Sequence, residues 1–164
     1  MRVYLAMTMR GLANLLVEES VDAPVAHAVT PALREWYVEG DAEELEYAAL
    51  TIAARSSLHE IAGDPTAPAR RVVLVAEIPD AVARPAPDIE RAAVRLARPV
   101  PLLDVVSAHV DDEAAADDVR RAVAVLGAAN AGDEDAQFVV DGVEDHELGW
   151  FAAQEIGPLV ELEG

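Results

Sequence analysis

The stretch RRVVLVAEIP, residues 70–79, decides how this chain folds. Five consecutive apolar residues, Val72 to Ala76, leave it without a polar face. A strand with this composition is typical of the interior of a sheet that is covered on both faces. We therefore expect a central strand here, with the rest of the chain supplying its neighbours and its cover.

Five other segments have the apolar alternation or β-branched content that predicts strands. They are RVYLAMT (2–8), VAHAVT (25–30), AAVRLARPV (92–100), VVSAHVD (105–111) and ELGWFAAQEI (147–156). Together with the central strand they predict a mixed sheet of about six strands.

Helical segments lie between these strands. Thr30 followed by Pro31 is a helix start, because the hydroxyl can cap the first turn and proline suits the first helical position. Asp41 begins a longer helix that ends at Gly63, and Asp111 or Asp112 caps another that runs to Leu126. The sequence therefore predicts the α+β class, with the helices mainly on one face of the sheet.

Composition limits the possible partners. The 164 residues suit a single domain, 1–164, and carry a net charge of −19 with no cysteine. Such a charge disfavours nucleic acid and anionic membranes, which are bound through basic patches. Solubility and a coding bias are the simpler explanation of the acidity, and a protein partner with a basic surface is the alternative. The absence of cysteine excludes disulfides and thiolate metal sites. Because we find neither a signal peptide nor a membrane-length apolar run, we expect a cytoplasmic protein.

The two halves of the chain have a similar order of predicted elements, as in an internal repeat. Residues 1–80 and 91–157 each follow a β-β-α-β order, with a histidine before the helix and Glu-Ile at the end of the third strand. His27 corresponds to His109, and Glu77 corresponds to Glu155. Matching element order at near-constant spacing suggests an ancient duplication.

Three segments, MRVYL, ALREWYVEGDAEELEYAA and LGWFAAQEI, resemble a family of small acidic actinobacterial proteins of unknown function. The resemblance covers nearly the whole chain, and its most distinctive part is the middle segment. It implies a bacterial cytosolic protein with one compact domain, and it supplies no catalytic residues or cofactor.

The paired histidines allow two interpretations. His27 and His109 are structural residues, or they join Glu77 and Glu155 in a metal or acid–base site, since imidazole and carboxylate together suit Zn, Mn or Fe. No local ligand spacing such as H-E-x-x-H is present, so only the fold could bring these four residues together. The structural interpretation is the simpler one, and we expect no cofactor.

An aromatic pair in acidic surroundings is the second candidate site. Trp36 and Tyr37 precede a helix whose first turn contains Glu43 and Glu44. The core is the simpler interpretation, in which Trp36 would pack on the sheet. On the surface, the pair would resemble a hot spot for an arginine-bearing partner. We expect a non-catalytic binding or regulatory protein that uses this acidic helical surface. The alternatives are a small metal-assisted enzyme using the histidine–glutamate cluster, and a homodimer formed through an uncovered face of the sheet.

Overall fold

The computed structural model describes residues 1–163, and the side chains of residues 1–162. Its helices are α1 (Met9–Glu18), α2 (Pro31–Trp36), α3 (Ala42–Ala62), α4 (Ala116–Asn130), α5 (Glu134–Gly142) and α6 (Ile156–Glu163). Its strands are β1 (Arg2–Met7), β2 (Ser20–Val21), β3 (Val25–His27), β4 (Val72–Glu77), β5 (Ala83–Pro85), β6 (Ala93–Leu96), β7 (Val100–Pro101), β8 (Val105–Asp111) and β9 (Leu148–Ala152).

Seven of the strands form one sheet in the order β5-β6-β3-β1-β4-β8-β9, and β2 and β7 pair separately. The α+β class is confirmed, but the expectation of a mixed sheet is corrected, because every strand pairing is antiparallel. The reason lies in β1. The helical connection through α2 and α3 joins β3 to β4, which run in the same direction, and β1 lies between them in the opposite direction.

The stretch that begins at Val72 forms β4, and its predicted central position is confirmed. This strand pairs with β1 on one side and with β8 on the other. Its residues alternate between two clusters of buried side chains, with Leu74 in one and Val73 and Val75 in the other. An uninterrupted apolar run is therefore needed to cover both faces of the sheet.

Helices pack on both faces of this sheet, so the expectation that they lie mainly on one face is corrected. The hydrophobic cluster on one face includes residues of α1 and α6, and that on the other includes residues of α2 and of the longest helix, α3. The caps form as predicted: Thr30 accepts a hydrogen bond from the Leu33 N–H, and Asp41 accepts one from the Glu44 N–H. The homodimer formed through an uncovered face of the sheet stays a prediction.

The structure decides between the two predicted caps and corrects the end of the last strand. Asp112, one of the two predicted caps, accepts a hydrogen bond from the Ala114 N–H in the turn before α4. The last strand ends at Ala152, so Glu155 lies in the 3₁₀ turn that follows it and not on the strand.

The strands of the two segments 1–80 and 91–157 are arranged differently. In the first segment, β3, β1 and β4 are neighbours; in the second, β6 lies beside β3 while β8 and β9 lie beyond β4. The strand order therefore differs between the segments, and the duplication stays a prediction. None of the described helices combines the length and the hydrophobicity that a transmembrane span requires.

Candidate functional site

A cleft opens between α3 and the last two strands of the sheet. Helix α3 packs on β1, β3 and β4, so the strands β8 and β9 extend beyond its cover. The resulting space, which we call the β9 cleft, has a volume of about 570 Å³. It is lined by Tyr47, Leu50, Thr51, Ala54, Arg71, His109, Glu144, Asp145, His146, Glu147, Leu148 and Trp150.

The floor of the β9 cleft is a cross-strand pair. His109 of β8 lies directly opposite Trp150 of β9, so both side chains project from the same face of the sheet. Trp150 is 60% exposed, an unusual state for an indole on a sheet. Burial lowers the pKa of His109. The floor is therefore aromatic and carries a neutral imidazole at pH 7.

A buried ion pair closes one end of the cleft. The guanidinium of Arg71 donates two hydrogen bonds to the Asp111 carboxylate, each 2.8 Å long. The same guanidinium donates a 2.8 Å bond to the backbone carbonyl of His146. This pair fixes the loop that precedes β9 to the end of β8.

The ring of His146 is held in turn by a carboxylate. Its Nε2 lies 2.7 Å from the Asp118 carboxylate, and this hydrogen bond lowers the pKa of Asp118. The loop 145–147 is thus anchored through both the backbone and the side chain of His146. It presents the neighbouring carboxylates of Asp145 and Glu147 to solvent.

The rim of the cleft carries unbalanced negative charge. Glu43 and Glu46 lie at its α3 side, in a smaller extension of about 300 Å³, and Asp145 and Glu147 lie at the loop side. None of these four carboxylates forms an ion pair with a described side chain. Nearby arginines are already engaged: the Arg55 guanidinium contacts Asp141 and Glu144, and that of Arg2 contacts Glu77.

The other side of α3 holds most of the surface predicted from the sequence. Tyr37, Glu43 and Glu44 line a shallow groove of about 740 Å³, which we call the α3 groove. Tyr47 is 62% exposed and lines both this groove and the β9 cleft. The two depressions share Tyr47 and Thr51 and therefore form a continuous acidic and aromatic surface.

Trp36 lies apart from the α3 groove. Its side chain is 61% exposed, so the alternative that places it in the core is wrong. The Arg91 guanidinium lies 3.6 Å from the centre of the indole ring, a cation–π contact. This indole therefore already binds a cation from its own chain.

The structure does not bring the four predicted metal-site residues together. His27 is on β3 and His109 on β8, so β1 and β4 lie between them and the three strand spacings alone amount to about 14 Å. Glu77 is paired with Arg2, and the Glu155 carboxylate accepts a hydrogen bond from the Ala152 N–H. Within the described part of the chain, no group of three or more potential ligands could hold a metal ion.

His27 has its own environment on the other side of β1. It is buried, its Nδ1 has no hydrogen-bond partner among the described residues, and burial lowers its pKa against the opposing charge of Glu90. Tyr4 is its neighbour across the sheet. Burial, aided by the charge of Glu46, raises the pKa of Tyr4 to about 12.

Sequence reasoning missed the residues that define the β9 cleft. Trp150 lies in an alternating strand, where the pattern alone gives no reason to expect an exposed indole. Arg71 and Asp111 are 40 positions apart, and each has a simpler local explanation, as a loop base and a helix cap. One signal was available: each of these charged residues lies at the end of a strongly apolar strand, where burial requires a partner of opposite charge.

Comparison with known proteins identifies a family for this chain but does not indicate an activity. No curated protein and no solved structure matches the chain. One family model, described as a family of unknown function, matches residues 1–160. The chain therefore belongs to this family, DUF6912.

Proposed function

We propose that this chain is a non-catalytic binding protein that holds a basic segment of a partner protein on the surface formed by the β9 cleft and the α3 groove. One observation carries the proposal: three exposed aromatic side chains lie among carboxylates that have no basic partner within the described residues. They are Tyr37, Tyr47 and Trp150.

The aromatic side chains supply the contact area. Tyrosine and tryptophan lose little conformational entropy when they are covered, and they are enriched among the residues that dominate binding energies. Their faces also attract guanidinium and ammonium groups. The Arg91–Trp36 contact is an example of this attraction on the same protein.

The carboxylates supply the charge preference. Glu43, Glu46, Asp145 and Glu147 surround the β9 cleft, while its lining arginine, Arg71, is neutralised by Asp111. An arginine side chain of a partner would complete ion pairs that the chain leaves open. Complementary charge of this kind raises association rates and excludes acidic partners.

The test measures binding of a capped arginine–threonine alternating octapeptide by titration calorimetry at about 0.15 M salt, where exposed charges are screened beyond roughly 8 Å. The Tyr47→Ala/Trp150→Ala double variant should bind this peptide roughly tenfold more weakly than the unaltered protein. The substitution leaves the net charge unchanged, so the loss reports the aromatic contacts.

Phe138→Ala is the matched control. Phe138 is an aromatic residue of α5 that is 80% exposed and lies outside both depressions. Its removal should leave the affinity unchanged. Equal affinity for all three proteins would show that the peptide responds only to net charge, and would refute the proposed site. A glutamate–threonine peptide should not bind.

A further inference from the structure

The outer edge of β9 borders the β9 cleft, and its backbone groups are unpaired. The Asp111 N–H donates to the Arg71 carbonyl, so the backbone groups of Asp111 and His109 point toward β4. Val110 and Ala108 therefore bond to β9, at their partners Gly149 and Phe151. By the same alternation, the N–H and C=O groups of Leu148 and Trp150 point away from the sheet.

No group in the described part of the chain forms a hydrogen bond with these outward N–H and C=O groups. Leu148 and Trp150 have no backbone hydrogen bond on that side, and β9 is the terminal strand of the sheet. The next outward donor, the Ala152 N–H, is taken by the Glu155 carboxylate. The edge thus offers the outward N–H and C=O groups of two residues, Leu148 and Trp150. At Ala152 the outward N–H is already bonded, so the row of free donors ends there.

We infer that the basic partner segment binds as an added antiparallel strand on β9, with alternate side chains in the β9 cleft; this inference rests on the proposed function. A residue opposite Trp150 exchanges hydrogen bonds with it and projects its side chain from the same face. Tyr47 of α3 and the rim carboxylates lie on that side of the sheet. The partner segment therefore has arginine or lysine at every second position.

The composition of β9 supports this mode of binding. Natural proteins protect exposed edges with charges, prolines or bulges, because a free edge pairs readily with other chains. The sequence of β9, LGWFA, contains neither a charge nor a proline. The strand itself is an unprotected template, and only the acidic segments before and after it restrict which chain can pair with it.

Charge favours a basic segment over a second copy of the same chain. A symmetric pairing of two β9 strands centred on Trp150 brings Asp145 and Glu147 of one copy toward Glu155 of the other. Opposed like charges destabilise a strand pair, and each copy carries a net charge of −19. A basic strand encounters attraction at both ends of β9.

Backbone methylation of the probe peptide tests the inference. In the arginine–threonine peptide, the arginine N–H groups face β9 if the arginine side chains enter the cleft, and the threonine N–H groups face solvent. N-methylation of the arginines should weaken binding roughly tenfold or more, because it removes the shared hydrogen bonds. N-methylation of the threonines should leave the affinity within about twofold. The two methylated peptides carry the same charge and the same side chains.

The outcomes separate this inference from the proposed function. If the unmethylated peptide does not bind, the proposed function fails and the strand-addition inference fails with it. If it binds and the two methylated peptides behave alike, the binding surface stands and strand addition is refuted. A greater loss with methylated threonines would refute the assignment of the arginines to the cleft.

Discussion

The β5 edge of the sheet presents a proline to solvent, whereas the β9 edge presents free backbone groups beside a cleft. In β5, the Ala86 N–H donates to the Ala93 carbonyl, so the nitrogen of Pro85 faces outward and offers no donor. Arg84 adds a charge to this short strand. The two edges belong to one sheet, and only the β5 edge has features that prevent another strand from pairing with it.

The ion pairs near the two edges differ in the same way. At the β9 side, Arg71 and Asp111 are buried and bidentate; at the β5 side, Arg95 and Asp88 make the same kind of contact in solvent. A buried pair is costly to break, because the charge that remains is neither paired nor hydrated. A buried ion pair therefore fixes the position of the open β9 edge. The blocked β5 edge has only an exposed ion pair near it.

The largest expected effect comes from breaking the buried pair. Asp111→Asn leaves the Arg71 guanidinium uncompensated and should lower the free energy of unfolding by about 3–5 kcal/mol, measured by urea denaturation. The matched variant Asp88→Asn, at the exposed pair, should change the free energy of unfolding far less, because solvent screens that pair. Equal costs for the two variants would contradict the contrast between the edges.

An effect of intermediate size is expected at the two histidines. His27 lies toward the β5 edge and His109 toward the β9 edge. Burial lowers the pKa of both His27 and His109 below the unfolded value of 6.5. The unfolded chain therefore binds more protons, so stability is full above about pH 6.5 and falls as the pH is lowered through that value.

His27 should contribute more to this fall, because it is the more buried of the two. His27→Gln should reduce the acid dependence of the unfolding free energy more than His109→Gln does. The charge of Glu90, which opposes the shift at His27, tests the cause. Glu90→Gln should enlarge the fall, and a smaller fall would contradict this account.

The smallest effect sharpens the comparison at the blocked edge. Pro85→Ala restores an outward N–H on β5 and should lower the free energy of unfolding by about 0.4–1 kcal/mol, because the unfolded chain gains freedom. It should add no second binding site for the arginine–threonine peptide, since neither the β9 cleft nor the α3 groove includes a residue of β5. A doubled stoichiometry in calorimetry would show that a free edge alone is sufficient.

The sequence predicts the parts of this fold that depend on local chemistry. The apolar run of β4 and the caps at Thr30 and Asp41 are each readable from a few adjacent residues. Strand direction is not, because it depends on β1 lying between β3 and β4. The β9 cleft was unpredictable for the same reason, since it exists where α3 ends its cover of the sheet and exposes Trp150.

The predicted metal cluster shows the limit of pattern matching. His27 and His109 lie in similar apolar frames and project from the same face of the sheet, yet two strands separate them. The acidic helical surface was more accessible to sequence reasoning, because Tyr37, Glu43 and Glu44 are close together in the chain. Trp150 joins that surface only through the fold.

Amide hydrogen exchange at β9, measured residue by residue by NMR, tests the central claim most directly. In the free protein, the amides of Leu148 and Trp150 should exchange rapidly, and those of Gly149 and Phe151 should be protected by β8. Adding the arginine–threonine peptide should protect Leu148 and Trp150 and leave Ala83 of β5 unchanged. Binding of the peptide without new protection at Leu148 and Trp150 would contradict strand addition at the β9 edge.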